Sequence, residues 1–229
     1  MTNTLSQEYP LLVAAAMARA YRSGEKTQTR RQVKPQPPSE CTIHYMLGAE
    51  SWLPPEKQTK LRHYWEAWHG ELYRNRPKDH LCGGHTVICP YGKVGDKLWL
   101  RETWAAAVQD PKGPADCLYR ADDNSGVEDL EDVTWKPSIH MPRRYCQTVL
   151  TINALRVERL QTITDHDALS EGVVEWFKPR AAELKKAGIA APDRPKYLFQ
   201  LLWTSLYGQA AWDANPYVWV ICTDKVVPK

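Results

Sequence analysis

The segment GEKTQTRR, residues 24–31, packs three cations and two threonines into eight residues. Side chains of these types suit a solvated turn, a phosphate-binding patch or part of a catalytic site. A lysine becomes a base only when its pKa falls from about 10.4 toward neutrality, through burial or nearby cations. Arg30 and Arg31 are such neighbours for Lys26. A Thr29 hydroxyl is nucleophilic only once a base activates it. In a regular strand, residues 26 and 29 would point to opposite faces. A shared site therefore requires Lys26 in the turn and Thr29 at the start of the strand, and Gly24 permits that turn.

Other residues carry the same double reading. Trp99, Arg101 and Glu102 fall together in GDKLWLRETW. Arg101 could hold a phosphate and Trp99 could stack a base; the plainer reading is a structural Trp and an Arg–Glu ion pair. His140, Arg143 and Arg144 form a second basic loop, either a groove for a polyanion with Arg30 and Arg31 or a solvated loop. Cys41-x2-His44 and Cys82-x2-His85 have spacings that would let two turns supply four zinc ligands, with Cys89 or His80 in reserve. Unliganded Cys and His side chains are the alternative. Apart from that structural zinc, no cofactor is expected.

The elements that must position these residues follow from pattern. The chain of 229 residues, 43% hydrophobic, suits one large domain or a domain with an insertion. A net charge of +3 does not demand a nucleic-acid partner. Ten Trp and eleven Tyr against two Phe suit stacking on bases or sugars, or a core. LLVAAAMARA is too short to span a bilayer, and the first residues lack a basic stretch followed by an apolar core. With six scattered cysteines, a reducing cytoplasm is the expected location.

Pro10 followed by an Ala- and Leu-rich run predicts a helix over 10–22, stopped at Gly24. TQTRRQV reads as a strand. Residues 36–92 read as an insertion lobe with a helix near 55–69. Strands follow over 95–105, at CLYRAD, over 145–159 with a bulge near Asn153, and over 216–226. PSIHMPRR reads as an ordered loop. Thr164 and Asp167 predict a capping box opening a helix that Gly172 ends, and PKYLFQLLWTSLY predicts another that ends at Gly208. The fold class expected is α+β: one domain over 1–229, a mixed β-barrel with flanking helices.

GEKTQTRR, GDKLWLRE, the strand leading into ITDHDALSEG, and PYVWVICTDKV occur in the order found in the ASCH family, which the chain resembles over most of 10–33 and 90–226. It is most similar to ASCH-related proteins carried by phages and prophages. The resemblance implies a PUA-like β-barrel, with 36–92 outside the minimal domain. Some ASCH proteins are small amidohydrolases that remove the acetyl group from N4-acetylcytidine, using a Lys, a Thr three residues on, and a Glu at a helix end. The matching residues here are Lys26, Thr29 and Glu171. The resemblance implies recognition of a modified nucleoside or single-stranded nucleic acid, with hydrolysis of an N-acyl group as the enzymatic reading. A non-catalytic RNA or modified-DNA binding module, or an ASCH-type ribonuclease, is the alternative.

Overall fold

The computed structural model describes residues 6–36, 89–106, 117–122 and 133–224, and the backbone of two strands, Cys41–Tyr45 and Trp65–His69. A five-stranded mixed sheet organises them. Its strands are β1 (Glu8–Leu12), β2 (Gln28–Gln32), β5 (Lys97–Arg101), β8 (Val149–Arg159) and β9 (Tyr217–Thr223), in the order β1-β5-β8-β9-β2. β1 runs parallel to β5, and the other three pairings are antiparallel. Two short antiparallel pairs lie outside it: β3 (Cys41–Tyr45) with β4 (Trp65–His69), and β6 (Trp104–Ala106) with β7 (Cys117–Tyr119). The helices are α1 (Ala15–Arg22), α2 (Asp165–Ser170), α3 (Val173–Lys186), α4 (Pro195–Tyr207) and α5 (Gln209–Asp213).

The run YVWVIC explains why β9 is central. Its side chains are apolar on both faces, as a strand covered on both sides requires. Trp219 and Ile221 enter a core with Leu11, Tyr21, Leu98, Leu100 and Ile152. Val218 and Val220 enter a second core, with Leu160, Val173, Phe199 and Trp203 from the helical layer. Among the described residues the ladder is open, with β1 and β2 as its two edges. One side chain spans them, since Arg31 Nη2 donates to the Leu12 carbonyl at 2.9 Å.

Several expectations are met in place. The register of β8 against β9 shifts between Ile152 and Ala154, bracketing Asn153. Thr164 and Asp167 close a capping box on α2, and Gly172 follows with φ 76°. PSIHMPRR forms two short 3-10 turns, Ser138–His140 and Arg143–Tyr145.

Others need correction. The helix expected over 10–22 begins only at Ala15, because 8–12 is strand β1. Tyr9 and Leu11 alternate into the core, and Pro10 is tolerated because β1 is an edge. The helix expected near 55–69 is a strand over Trp65–His69, paired with Cys41–Tyr45; the rest of that segment lies outside the described residues. α3 is an additional helix that the sequence reading lacks.

Candidate active site

Lys26 lies in the bend between α1 and β2. Gly24, at φ 74°, lets the chain reverse after Arg22. The Lys26 amide then donates to the Ala20 carbonyl at 2.9 Å, and the Thr27 amide to the Ser170 carbonyl at 2.9 Å. The second bond ties this bend to the end of α2, where Glu171 follows. Gly172 completes the approach: a Cβ there would sit 2.9 Å from Ala20 Cβ and 3.1 Å from Lys26 Cβ. The absent side chain is what lets the lysine stem pass.

Lys26 and Glu171 are both almost fully buried and form an ion pair, Nζ to Oε2, at 3.0 Å. Lys26 Nζ also donates to the Gln28 and Glu171 carbonyls, each at 2.7 Å. Three acceptors match the three hydrogens of an ammonium. Burial nevertheless pulls the Lys26 pKa below the ordinary lysine value; Glu171 opposes this, and Arg31 and Arg30 add to the lowering. The ammonium is thus held by geometry but gives up its proton more readily than an exposed lysine would.

Behind Glu171 sits a charge network. Arg30, whose side chain is fully buried, reaches Glu171 Oε1 at 3.1 Å, Glu158 at 3.3 Å and Asp167 at 3.4 Å. It also donates to Gln28 Oε1. Arg156 pairs with Glu158 and Asp167. Burial would raise the Asp167 carboxyl, but hydrogen bonds from Thr164, the charge of Arg30 and a bond from Gln28 outweigh it and hold it below its usual range. Three cations (Lys26, Arg30, Arg156) face three carboxylates (Glu158, Asp167, Glu171), so the network is neutral as a whole.

A cavity of about 570 Å³ opens beside this pair. Its lining includes Lys26, Thr29, Arg30, Arg31 and Glu171. One wall is aromatic: Phe199, Trp203 and Tyr207 follow one another at spacings of four along α4, with Trp176 added from α3. Such a helical spacing keeps the three on one face. Their ring centroids lie 6.0 Å apart for Phe199–Trp203 and 4.6 Å for Trp203–Tyr207. Tyr21 lies under the Lys26 ammonium, 5.3 Å from ring centroid to Nζ. Burial first, and then the negative charge of Glu171, push its phenol well above the ordinary tyrosine value. Its hydroxyl lies beside Thr29 without a hydrogen bond of good geometry.

Along β2, residues that line the cavity also carry the strand's edge. Thr27 O accepts from Thr223 N at 2.9 Å, and Val33 N donates to Tyr217 O at 3.0 Å. Backbone groups alternate sides along an antiparallel strand. Odd-numbered residues of β2 therefore face β9, while Gln28 and Arg30 turn their N–H and C=O to the open edge. The Gln28 carbonyl there receives Lys26 Nζ.

The remaining residues singled out in the sequence lie elsewhere. Trp99, Arg101, Glu102, His140 and Arg143 are not part of the lining. Trp99 is flanked by Arg101 and Arg143 guanidinium groups at 5.4 and 5.8 Å. Arg101 is tied to the Ile139 carbonyl, and Arg143 pairs with Glu8 at 2.8 Å. Glu102 is fully buried and pairs with Arg22, not with Arg101. His140 is exposed. Of the zinc candidates, Cys82 and His85 lie outside the described residues. Cys41 and His44 fall on strand β3, not on the turn that their pairing as ligands presupposes. Among the described residues, no three His, Cys, Asp or Glu side chains gather as a metal site.

Sequence reasoning missed Tyr21, Gln28, Glu158 and the aromatic wall. Two signals were available: the i, i+4, i+8 spacing of Phe199, Trp203 and Tyr207, and the charged Arg156 and Glu158 inside an apolar strand. The comparisons add no relative: no protein-family model matches the chain, and neither does any curated protein or solved structure.

Proposed function

We propose that this chain is an ASCH-type, PUA-like protein that binds a modified cytidine and hydrolyses its N4-acyl amide. The observation that carries the reading is the buried Lys26–Glu171 contact of 3.0 Å, lining one cavity with Thr29. The Arg31–Leu12 bond between the two edge strands supports a sheet curled toward the closure of a barrel.

In this reading Lys26, as the free amine, takes the proton of the Thr29 hydroxyl. Thr29 Oγ1 adds to the acyl carbon. The carbonyl oxygen becomes an oxyanion facing the Arg30 backbone N–H on the open edge of β2. Collapse breaks the bond from the acyl carbon to N4, and Lys26 returns its proton to the leaving amine. Water then hydrolyses the threonine ester by the reverse proton transfers, giving a carboxylic acid and cytidine. Glu171 stays a carboxylate: it orients Lys26 and stabilises the ammonium, while Arg30 fixes Glu171 from behind. The aromatic wall supplies stacking surface for the base.

Activity should vanish in Thr29→Ala and return in part in Thr29→Ser, scored by release of cytidine from N4-acetylcytidine. Full activity in Thr29→Ala would remove threonine as the nucleophile.

One observation favours a second reading, in which the same ligand is bound without turnover. All three hydrogens of the Lys26 ammonium already have acceptors, as in a structural lysine. Tight binding of acylated cytidine with no product would select it. The ribonuclease reading gains no support from the cavity, whose lining contains no histidine among the described residues.

A further inference from the structure

Charge balance around the cavity leaves one cation over. Lys26, Arg30 and Arg156 are matched by Glu158, Asp167 and Glu171. Arg31 also lines the cavity, yet among the described residues it has no carboxylate partner. Its guanidinium is held by a neutral group, since Nη2 donates to the Leu12 carbonyl at 2.9 Å, and Tyr91 lies close enough for the guanidinium charge to act on its phenol. Leu12 and Tyr91 both line the cavity too. A guanidinium carries five donors, so these contacts leave several unused. The side chain is half-buried, where screening by solvent is reduced.

Position adds to charge. Thr29 and Arg31 are two apart on β2 and therefore share a face, about 7 Å apart along the strand. An arginine side chain extends that reach further. The acyl group at Thr29 and an anion at Arg31 would thus be separated by roughly the span of one nucleotide, from base to phosphate.

We propose that Arg31 is the anchor for a phosphate, so that the preferred substrate is an acylated cytidine nucleotide over the free nucleoside. This rests on the amidohydrolase reading of the same cavity and names its substrate class. The guanidinium suits the task because it presents paired donors to phosphate oxygens. The volume of about 570 Å³ suits one nucleotide. A phosphate within a strand has the same chemistry, so the test must separate the two sources.

The test measures binding by calorimetry, which does not depend on turnover. The ligands are N4-acetylcytidine, its 5′-monophosphate, and a short single-stranded RNA carrying one N4-acetylcytidine. The proteins all carry Thr29→Ala, so that no ligand is consumed, and have the wild-type Arg31, Arg31→Gln or Arg31→Lys. The monophosphate is expected to bind the protein with Arg31 roughly ten- to a hundredfold more tightly than the nucleoside, the range of one charged hydrogen-bonded contact. Arg31→Gln should reduce that ratio to near one, and Arg31→Lys should restore part of it. RNA binding no tighter than the monophosphate assigns the anchor to the mononucleotide; tighter RNA binding, still lost in Arg31→Gln, assigns it to a strand. Equal binding of nucleoside and monophosphate by the protein with Arg31 overturns the proposal while leaving the amidohydrolase reading intact. So does a preference that survives Arg31→Gln. If no acetylated ligand binds and none is hydrolysed by the wild type, the proposal falls together with the reading beneath it.

Discussion

Lys26 and Arg30 are four residues apart and both buried, but the structure gives them different tasks. Lys26 lines the cavity with a lowered pKa, caused first by burial, and in the proposed reaction it acts as base only after losing its proton. Activity should therefore rise with pH along a limb centred below the ordinary lysine value of about 10.4. A profile of kcat/KM against pH checks this; a limb centred at or above the ordinary lysine value, or a rate that falls as pH rises, would contradict it. Arg30 holds Glu158, Asp167 and Glu171 together from inside the protein. Arg30→Met would leave those carboxylates without their buried cation. It should destabilise the fold by about 3–5 kcal/mol, read from chemical denaturation. An unchanged denaturation midpoint with only KM altered would make Arg30 a ligand contact instead.

At the scale of elements, Gly172 joins fold to site, because it ends α2 and gives way to the Lys26 stem. Gly172→Ala combines a positive φ, costing about 1–2 kcal/mol, with a clash against Ala20 and Lys26. Gly188 supplies the control, since it has φ 71° but nothing within 4 Å of its absent Cβ. Both variants should lose stability in thermal unfolding, and only Gly172→Ala should also lose activity. Equal effects on activity would mean that the Gly172–Lys26 contact is incidental. What was legible in the sequence divides along the same line. The capping box at Thr164 and the doubly buried run of β9 are written locally, in neighbouring residues. Strand β1 was hidden because Pro10 fits a helix start as well as an edge strand. α3 was hidden because Pro179 inside it reads as a breaker. Arg30 reads in sequence as part of a groove for a polyanion, since nothing adjacent reveals the carboxylates of β8 and α2 around it. The pairing of Lys26 with Glu171 came from a family resemblance, as residue spacing cannot state a contact made in three dimensions.

The molecule as a whole carries a net charge of only +3, and the network beside the cavity is neutral apart from Arg31. The proposed single-nucleotide site predicts a shallow salt dependence, a log–log slope of about −0.7 for one phosphate contact. A broad groove tracking a strand would give a slope several times steeper. Binding of the acetylated RNA at several salt concentrations separates the two. Among the described residues, no helix is long and apolar enough to cross a membrane. The open sheet, the helical layer and the bend before β2 converge on one arrangement, an ammonium, a hydroxyl and a carboxylate lining one cavity. The most direct test is turnover of N4-acetylcytidine and its 5′-monophosphate by the purified protein, beside Lys26→Ala and Glu171→Gln. The account predicts release of acetate and the deacetylated base by the wild type, with each variant slower by about 10²–10⁴. No release from either substrate by a folded wild-type protein, or release undiminished in both variants, would contradict it.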